Sequence, residues 1–145
     1  MTDPGDLVAR TRQLDRDPDL LAVAGADGVL FARDRIGFAG RGTALRVPRT
    51  GAEAALAAIA REDEVGRPGT GPVAFGALPF LPDEPAELVV PEVVVGRDGD
   101  GHRWVTTVAP AGREPDPVAL AEGLCVPAPP PGPGPAAFGV RSSRP

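Results

Sequence analysis

The sequence predicts an α+β fold with a mainly antiparallel sheet. Three observations support this prediction: apolar runs of strand length, Asp-Gly pairs between several of them, and only a few stretches with helical spacing. Asp-Gly supplies the positive φ angles that a tight hairpin turn requires, so the flanking runs are expected to pair as neighbours. With 145 residues and 42% hydrophobic content, the chain is long enough for one domain with a core. Hairpins with occasional helices define the α+β class.

The N-terminal part is predicted to be a short helix followed by a hairpin. Residues 6–14 form the helix, and Pro18 ends it because proline supplies no amide donor. Two apolar runs, 20–24 and 29–32, then flank the sequence Gly-Ala-Asp-Gly at 25–28. This arrangement predicts two strands joined by a tight turn.

The next segment is predicted to be a glycine loop, a strand and a helix. Glycines recur over residues 37–42, and the following residues 43–47 have the composition of a third strand. Thr50 and Glu53 fit a capping box, in which each side chain satisfies the other's unpaired backbone amide, and this box opens a helix that runs through about Glu62. One face of that helix carries, at helical spacing, Ala52, Ala55, Leu56 and Ile59.

Three more strands are predicted in the second half. Residues 73–78 are apolar at both alternating positions, which is typical of a strand covered on both faces. Residues 88–95 and 103–108 are two further strands, and the turn at 97–101 between them holds two Asp-Gly pairs. Pro91 favours an edge position or a bulge in the first of these strands, because proline cannot donate to the ladder.

The domain organisation follows from a shift in composition near Pro110. Residues 1–108 are predicted to be the folded region, and residues 109–137 a proline-rich linker in which Asp116-Pro117 starts a short helix that Gly123 could close. The run of prolines from 127 to 135 favours an extended segment with polyproline character. A linker implies something beyond it, and only residues 138–145 remain; a tail without a role is the alternative.

Composition excludes several classes of function. The net charge of -5 opposes sequence-independent binding of nucleic acid, which depends on clustered Lys and Arg. All fifteen basic residues are Arg, so a Schiff-base lysine, a lysine general base and a Walker-type phosphate loop are ruled out. The apolar runs fall short of the roughly 20 residues that span a bilayer. A single cysteine and the lack of a signal-peptide pattern predict a cytoplasmic location.

His102 is the first candidate for chemistry, because an unperturbed histidine titrates near neutrality. It follows a probable hairpin turn, and an exposed, solvated side chain is therefore expected in preference to a general acid or base. Asp98, Asp100 and His102 offer ligand types for a turn metal site, which is the alternative. Cys125 has no basic neighbour in sequence to lower its pKa, so a nucleophilic role has little support.

Three other patterns favour a solvated surface over a binding site. The carboxylates Glu62, Asp63 and Glu64 could chelate a metal, but charge runs at helix ends usually face water. The glycines of 37–42 could be mistaken for a phosphate loop, yet a strand rather than a helix is predicted to follow them. An arginine-rich stretch could contact an anion, although strand alternation would divide its members between two faces, namely Arg33, Arg35, Arg41, Arg46 and Arg49.

Residues 75–92, Phe-Gly-Ala-Leu-Pro-Phe-Leu-Pro-Asp-Glu-Pro-Ala-Glu-Leu-Val-Val-Pro-Glu, carry ordered glycines, prolines and apolar residues that resemble the N-terminal region of an isochorismate synthase. Residues 138–145 resemble the first residues of the chorismate-binding domain of the same family. The resemblance covers about 20–108 and these last eight residues. It implies a layered α/β/β/α architecture to which the N-terminal region supplies strands and outer helices, so residues 75–92 would have a structural role.

The resemblance also implies that catalysis and scaffolding belong to different domains. In this family, acidic residues bind Mg²⁺ and a lysine activates the water that attacks chorismate, and these residues lie in the C-terminal catalytic domain. No catalytic, cofactor-binding or metal position of the family can therefore be placed on this chain. Its expected partner is the missing chorismate-binding domain, joined in cis or supplied in trans.

Three functional hypotheses remain open. The first is an N-terminal portion of an isochorismate synthase, which converts chorismate to isochorismate only together with its catalytic domain. The second is a non-catalytic module that binds a partner protein through a sheet edge or an apolar face, with the proline-rich tail as a tether. The third, an enzyme that uses His102, requires that side chain to lie in a pocket with a carboxylate partner.

Overall fold

The computed structural model describes residues 3–26, 28–34, 36–76 and 86–125, except the side chain of Cys125. The described residues form eight strands: β1 (Leu7–Gln13), β2 (Val29–Arg33), β3 (Ile36–Arg41), β4 (Leu45–Pro48), β5 (Ala60–Asp63), β6 (Glu87–Val90), β7 (Val93–Arg97) and β8 (Arg103–Pro110). They also form three α-helices: α1 (Leu20–Ala24), α2 (Ala52–Ala58) and α3 (Pro117–Cys125). Short 3₁₀ turns occupy Pro4–Asp6 and Arg49–Gly51.

Six of the strands form one sheet, in the order β2-β3-β7-β8-β1-β5. Every neighbouring pair in it is antiparallel except β1 with β5, which is parallel. Between β1 and β5 the chain forms α1, β2, β3, β4 and α2, so the parallel pair joins strands that are far apart in sequence. The α+β class with a mainly antiparallel sheet, predicted from the hairpin signals, is confirmed.

A second, two-stranded sheet is formed by β4 and β6, paired antiparallel. The single strand predicted over 88–95 is divided at Pro91, because β6 ends at Val90 and β7 begins at Val93 in the other sheet. A proline cannot donate to a ladder, so it fits at this transfer between sheets. Pro91 packs so closely on β3 that a Cβ atom on Gly40 would lie 2.8 Å from its Cγ.

Two predictions for the N-terminal part were wrong. Residues 7–13, predicted as a helix, form β1, whose alternating burial places Leu7, Ala9 and Thr11 on one face. Residues 20–24, predicted as a strand, form α1, and the Asp19 side chain caps it by accepting a hydrogen bond from the Ala22 amide at 3.1 Å. The hairpin that the structure contains instead joins β2 to β3.

The glycine-rich segment and the helix after it also differ from the prediction. Residues 37–42, predicted as a loop, belong mostly to β3 in the middle of the β2-β3-β7 ladder. The helix begins at Ala52 and ends at Ala58, and within the described residues no side chain caps its Gly51 N-cap, so the Thr50 and Glu53 capping box is not formed. Residues 60–63, predicted as its last turn, form β5.

The core lies on both faces of the main sheet. On one face, α1 and α3 cover a cluster that includes Val93, Val95 and Val105. On the other face, α2 and the small sheet cover a cluster that includes Leu7, Ala9 and Val108. The alternation of Val105 and Val108 along β8 explains the division, because successive side chains of a strand point to opposite faces.

The C-terminal part of the described fold extends beyond residue 108. Strand β8 continues to Pro110, which lies opposite Leu7, and the helix predicted from Pro117 is present as α3 and passes through Gly123. Ala121 of α3 is 1% exposed, and Val118 and Leu124 pack against the same cluster. Residues 126–145, which include most of the predicted linker and the expected start of a further domain, lie outside the described residues.

Residues 73–78 were predicted as a strand covered on both faces, and the structure describes this segment as far as Gly76. Phe75 forms an isolated antiparallel bridge with Val89 of β6, and each amide donates to the other's carbonyl at 2.8 Å. Val73 and Phe75 are only partly buried, so the coverage on both faces is not observed. The rest of the signature, residues 77–85, lies outside the described residues.

Candidate functional site

The β7-β8 turn brings together Asp98, Asp100 and His102, the three residues singled out as metal-ligand types. Their nearest ligand atoms lie within 4.8 Å of one another. The His102 side chain is 44% exposed, and its Nδ1 lies 3.4 Å from Oδ1 of Asp98. The prediction of an exposed histidine at a hairpin turn is confirmed, and His102 is not among the residues that line the cavity of about 380 Å³ beside this turn.

Arg67 lies against the same carboxylates and was not singled out from the sequence. Its Nε donates to Oδ2 of Asp98 at 2.8 Å, and its Nη2 donates to Oδ2 of Asp100, also at 2.8 Å. A guanidinium therefore already occupies one oxygen of each carboxylate, for which a metal ion would compete. The arrangement joins the loop after β5 to the turn between β7 and β8, and we assign it a structural role.

Asp98 is the centre of this cluster. Its Oδ1 accepts hydrogen bonds from the amides of Asp100 at 2.9 Å and of His102 at 3.0 Å. Partial burial acts to raise the pKa of Asp98, but these amides and the Arg67 guanidinium outweigh it and lower the pKa to about 2. The carboxylate therefore stays charged at all ordinary pH values, which suits a structural anchor better than proton transfer.

The acidic run Glu62, Asp63 and Glu64 links β5 to β1 and to the loop that follows β5. Glu62 lies within ion-pair distance of Arg10 and Arg12 on β1, and Glu64 accepts a hydrogen bond from the Gln13 amide at 3.1 Å. Burial acts to raise the pKa of Asp63, but the Thr70 hydroxyl and the amides of Gly66 and Val65 donate to it and hold that pKa below its ordinary value. These carboxylates are occupied by arginines, a hydroxyl and backbone amides.

The remaining sequence candidates do not converge on one site. Arg41 donates to the Ala22 carbonyl at 2.9 Å, and Arg46 lies 3.5 Å from Glu87 on the small sheet. Arg33 ends β2, Arg49 lies in the turn before α2, and Arg35 lies outside the described residues. The glycines of 37–42 form a strand rather than a phosphate loop, and the side chain of Cys125 is not described.

The feature that the sequence analysis did not identify is the edge formed by β2. Within the described residues this strand pairs only with β3, so its other side is open. Leu30 and Phe31 on it are 44% and 52% exposed, and Ile36 on β3 is 45% exposed. A signal was present in the sequence, since residues 29–32 are all apolar, but the prediction paired them with residues 20–24.

A groove runs beside this edge, where the main sheet and the small sheet diverge at Pro91. It has a volume of about 560 Å³, with Val29 and Phe31 on one wall and Phe75 and Val89 on the other. Its rim carries Arg46 and Glu87, which pair with each other. The groove is therefore apolar at its centre and offers few polar groups to orient a small substrate.

Comparisons with protein-family models, with curated proteins and with solved structures find no match to this chain. The resemblance of residues 75–92 to an isochorismate synthase therefore stays a prediction. Within the part of the chain that the structure describes, no helix is long and apolar enough to cross a membrane.

Proposed function

We propose that this chain is the non-catalytic N-terminal part of an isochorismate synthase, and that it presents the β2 edge to the chorismate-binding domain. The resemblance of residues 75–92 supplies the identity of the parent enzyme. The single observation that carries the docking role is the difference between the two edges of the main sheet, one charged and one apolar.

The edge at β5 is protected. All four of its residues, Ala-Arg-Glu-Asp, are exposed, and Glu64 follows directly. Charged residues on an edge strand discourage another strand from pairing with it. The loop that follows β5 is joined by Arg67 to the β7-β8 turn.

The edge at β2 lacks that protection. Its sequence is Val-Leu-Phe-Ala-Arg, so a charge appears only at its last residue. An exposed apolar edge is a template for strand addition, and monomeric proteins rarely leave one uncovered. A neighbouring domain that covers β2 and enters the groove beside Phe31 would remove this exposed surface from water.

The chemistry of the described residues agrees with a scaffolding role. Asp98, Glu62 and their neighbours are engaged by arginines and backbone amides, and the chain contains no lysine to activate a water molecule. The Mg²⁺ that the resemblance implies would be held by acidic residues of the catalytic domain, and the carboxylates clustered here are already paired with arginines. Isochorismate formation would then require both parts.

The test is reconstitution in trans with a purified chorismate-binding domain. We expect the domain to bind this chain and to convert chorismate to isochorismate with Mg²⁺ only when both are present. Phe31→Glu should abolish binding, because it places a charge on the apolar edge, whereas Leu21→Ser should leave it unchanged, since Leu21 lies on α1. Failure of the wild-type chain to bind or to support turnover would reject the proposal.

A second candidate function is supported by the same surface. A module that binds a separate partner protein would also use the β2 edge, with the proline-rich tail after Cys125 as a tether. The two functions differ in one measurement, since only the first predicts Mg²⁺-dependent turnover on addition of a catalytic domain.

A further inference from the structure

We propose that the β2 edge also joins two copies of this chain, by antiparallel pairing of β2 with β2 of the second copy about a two-fold axis. The proposal uses the surface invoked in the proposed function but does not depend on the parent enzyme. Two six-stranded sheets would become one continuous sheet.

The turn between β2 and β3 determines which backbone groups point outward. Arg33 and Ile36 lie opposite each other and enclose only residues 34 and 35, and Asp34 has a φ of 57°. In a hairpin with a two-residue turn, the pair that flanks the turn is hydrogen-bonded. Bonding then alternates along β2, so the N–H and C=O groups of Leu30 and Ala32 point away from β3.

These outward groups restrict the register with a second copy. Leu30 opposite Ala32 of the second copy allows both residues on each strand to exchange hydrogen bonds, and it is the register that pairs all five residues of β2. A shift by two residues in either direction brings Gly28 or Asp34 into the pairing and leaves one end of the strand unpaired. The register centred on Phe31 is therefore favoured.

That register also suits the side chains. Phe31 lies opposite Phe31 of the second copy on the same face, and facing aromatic side chains contribute about 0.2–1 kcal/mol per pair relative to alanine. Arg33 lies opposite Val29 of the second copy, so the two Arg33 side chains do not face each other. Strand pairing, an aromatic contact and the absence of opposed charge therefore agree.

The surface is small, and this determines the strength of association. Phe31 is 52% exposed and Leu30 is 44% exposed. Covering these side chains and the strand backbone in both copies removes on the order of 800 Å² from water, which is below the size of stable specific interfaces and in the range of weak, transient ones. A weak dimer is expected, with a dissociation constant of roughly 10–500 µM. Each copy carries a net charge of -5, so salt should tighten the dimer by screening repulsion.

Sedimentation velocity over a concentration series tests the proposal, using the full chain from about 5 to 500 µM to bracket that constant. We expect the weight-average sedimentation coefficient to rise with concentration and to rise further in high salt. Ala32→Pro removes an amide that points outward and makes no hydrogen bond to β3. Phe31→Ser removes the contact between the two Phe31 side chains. Each should weaken the dimer at least about tenfold, which corresponds to about 1.4 kcal/mol.

Leu21→Ser is the matched control, because Leu21 is also an exposed apolar residue, at 72%, but belongs to α1 and cannot take part in pairing along β2. Its dimer constant should equal that of the wild type, and circular dichroism should show all three variants folded. The proposal is overturned if the wild type stays monomeric over the whole series, if Ala32→Pro dimerises like the wild type, or if Leu21→Ser weakens association as much as Phe31→Ser.

The outcome is separable from that of the proposed function. A chain that binds the chorismate-binding domain but never self-associates would overturn this inference and leave the function standing. A chain that dimerises through β2 but does not bind the domain would reject the proposed function and support the dimer. If both hold, the domain should dissociate the dimer in proportion to its occupancy of the edge, because one strand cannot pair with two neighbours at once.

Discussion

At the scale of single residues, Asp98 is the anchor of the β7-β8 turn. One oxygen of its carboxylate accepts from the amides of Asp100 and His102, and the other accepts from Arg67. The sequence analysis identified Asp98 as a turn residue beside His102. It could not identify Arg67 as the partner, because the two are separated by 31 positions and only the folded loop after β5 brings them together.

Asp98→Asn should destabilise the fold by about 1 kcal/mol at pH 7, because it loses the charge opposite Arg67 but keeps an oxygen acceptor. The folded pKa of about 2 lies below the ordinary value of 3.8. This contribution is therefore present above about pH 4 and is lost as the pH falls toward 2. Urea unfolding at several pH values measures it. A difference from the wild type that grows on acidification would contradict the assignment.

Asp100→Asn is the control for this measurement. Its carboxylate meets the same arginine, but the Asp100 side chain is 74% exposed, and exposed ion pairs contribute little in water. We expect a change below about 0.5 kcal/mol.

A second prediction concerns the buried hydroxyls of Thr11 and Thr106, which lie 2.7 Å apart between β1 and β8. Thr11 also accepts a hydrogen bond from the Gly71 amide at 3.2 Å. Thr11→Val should therefore cost more than Thr106→Val, about 2–3 against about 1 kcal/mol, because it leaves a buried amide unpaired. Chemical denaturation of both variants provides the comparison, and equal losses would argue against a role for Gly71.

At the scale of elements, the sequence predicted well those whose signals are local. The β7-β8 hairpin follows from its Asp-Gly turn, and α3 begins at Pro117 as its composition indicated. Helix α1 also has local signals, since Asp19 caps it and Gly25 follows its end with a φ of 62°. The prediction gave more weight to the apolar composition of residues 20–24, which is compatible with a helix or a strand.

The elements that were predicted wrongly depend on distant partners. β1 is held between β8 and β5, whose residues lie about 100 and about 50 positions away, respectively. Its sequence, Leu-Val-Ala-Arg-Thr-Arg-Gln, has no strong preference of its own, so the pairing determines its structure. The glycines of β3 likewise serve close packing, which becomes visible only when Pro91 is placed against Gly40.

Strand β7 offers a sharp test of such close packing at Gly96. A Cβ atom there would lie 2.6 Å from the Trp104 ring, which is 1% exposed. Gly96→Ala should therefore destabilise the fold by about 3 kcal/mol or more through overpacking. Thermal unfolding measures the loss.

The matched control is Gly99→Ala in the following turn, where an added Cβ would meet no atom within 4 Å. It should leave the stability within about 0.5 kcal/mol of the wild type. Equal stability of the two variants would show that the contact between Gly96 and Trp104 is looser than the structure describes.

At the scale of the whole molecule, helix α3 shows that the segment after Pro110, where the composition changes, contributes to the core. Ala121 is buried and Val118, Leu120 and Leu124 pack on the cluster beneath α1. The reference for a truncation test is a chain that ends at residue 125, which keeps α3. A chain that ends at residue 110 should lose about 4 kcal/mol or fail to fold, because it exposes that cluster. Equal stability of the two truncations would place α3 outside the folded unit.

The pairing of β1 with β8 has a consequence for synthesis on the ribosome. Leu7 lies opposite Pro110, so the first strand has no antiparallel neighbour until the last strand has been made. At about 5–20 residues per second, the intervening stretch of about 100 residues takes roughly 5–20 s to translate. During that time β1 lacks its β8 neighbour, although α2 and β5, which also contact it, have already been made. The main sheet is therefore completed late in translation.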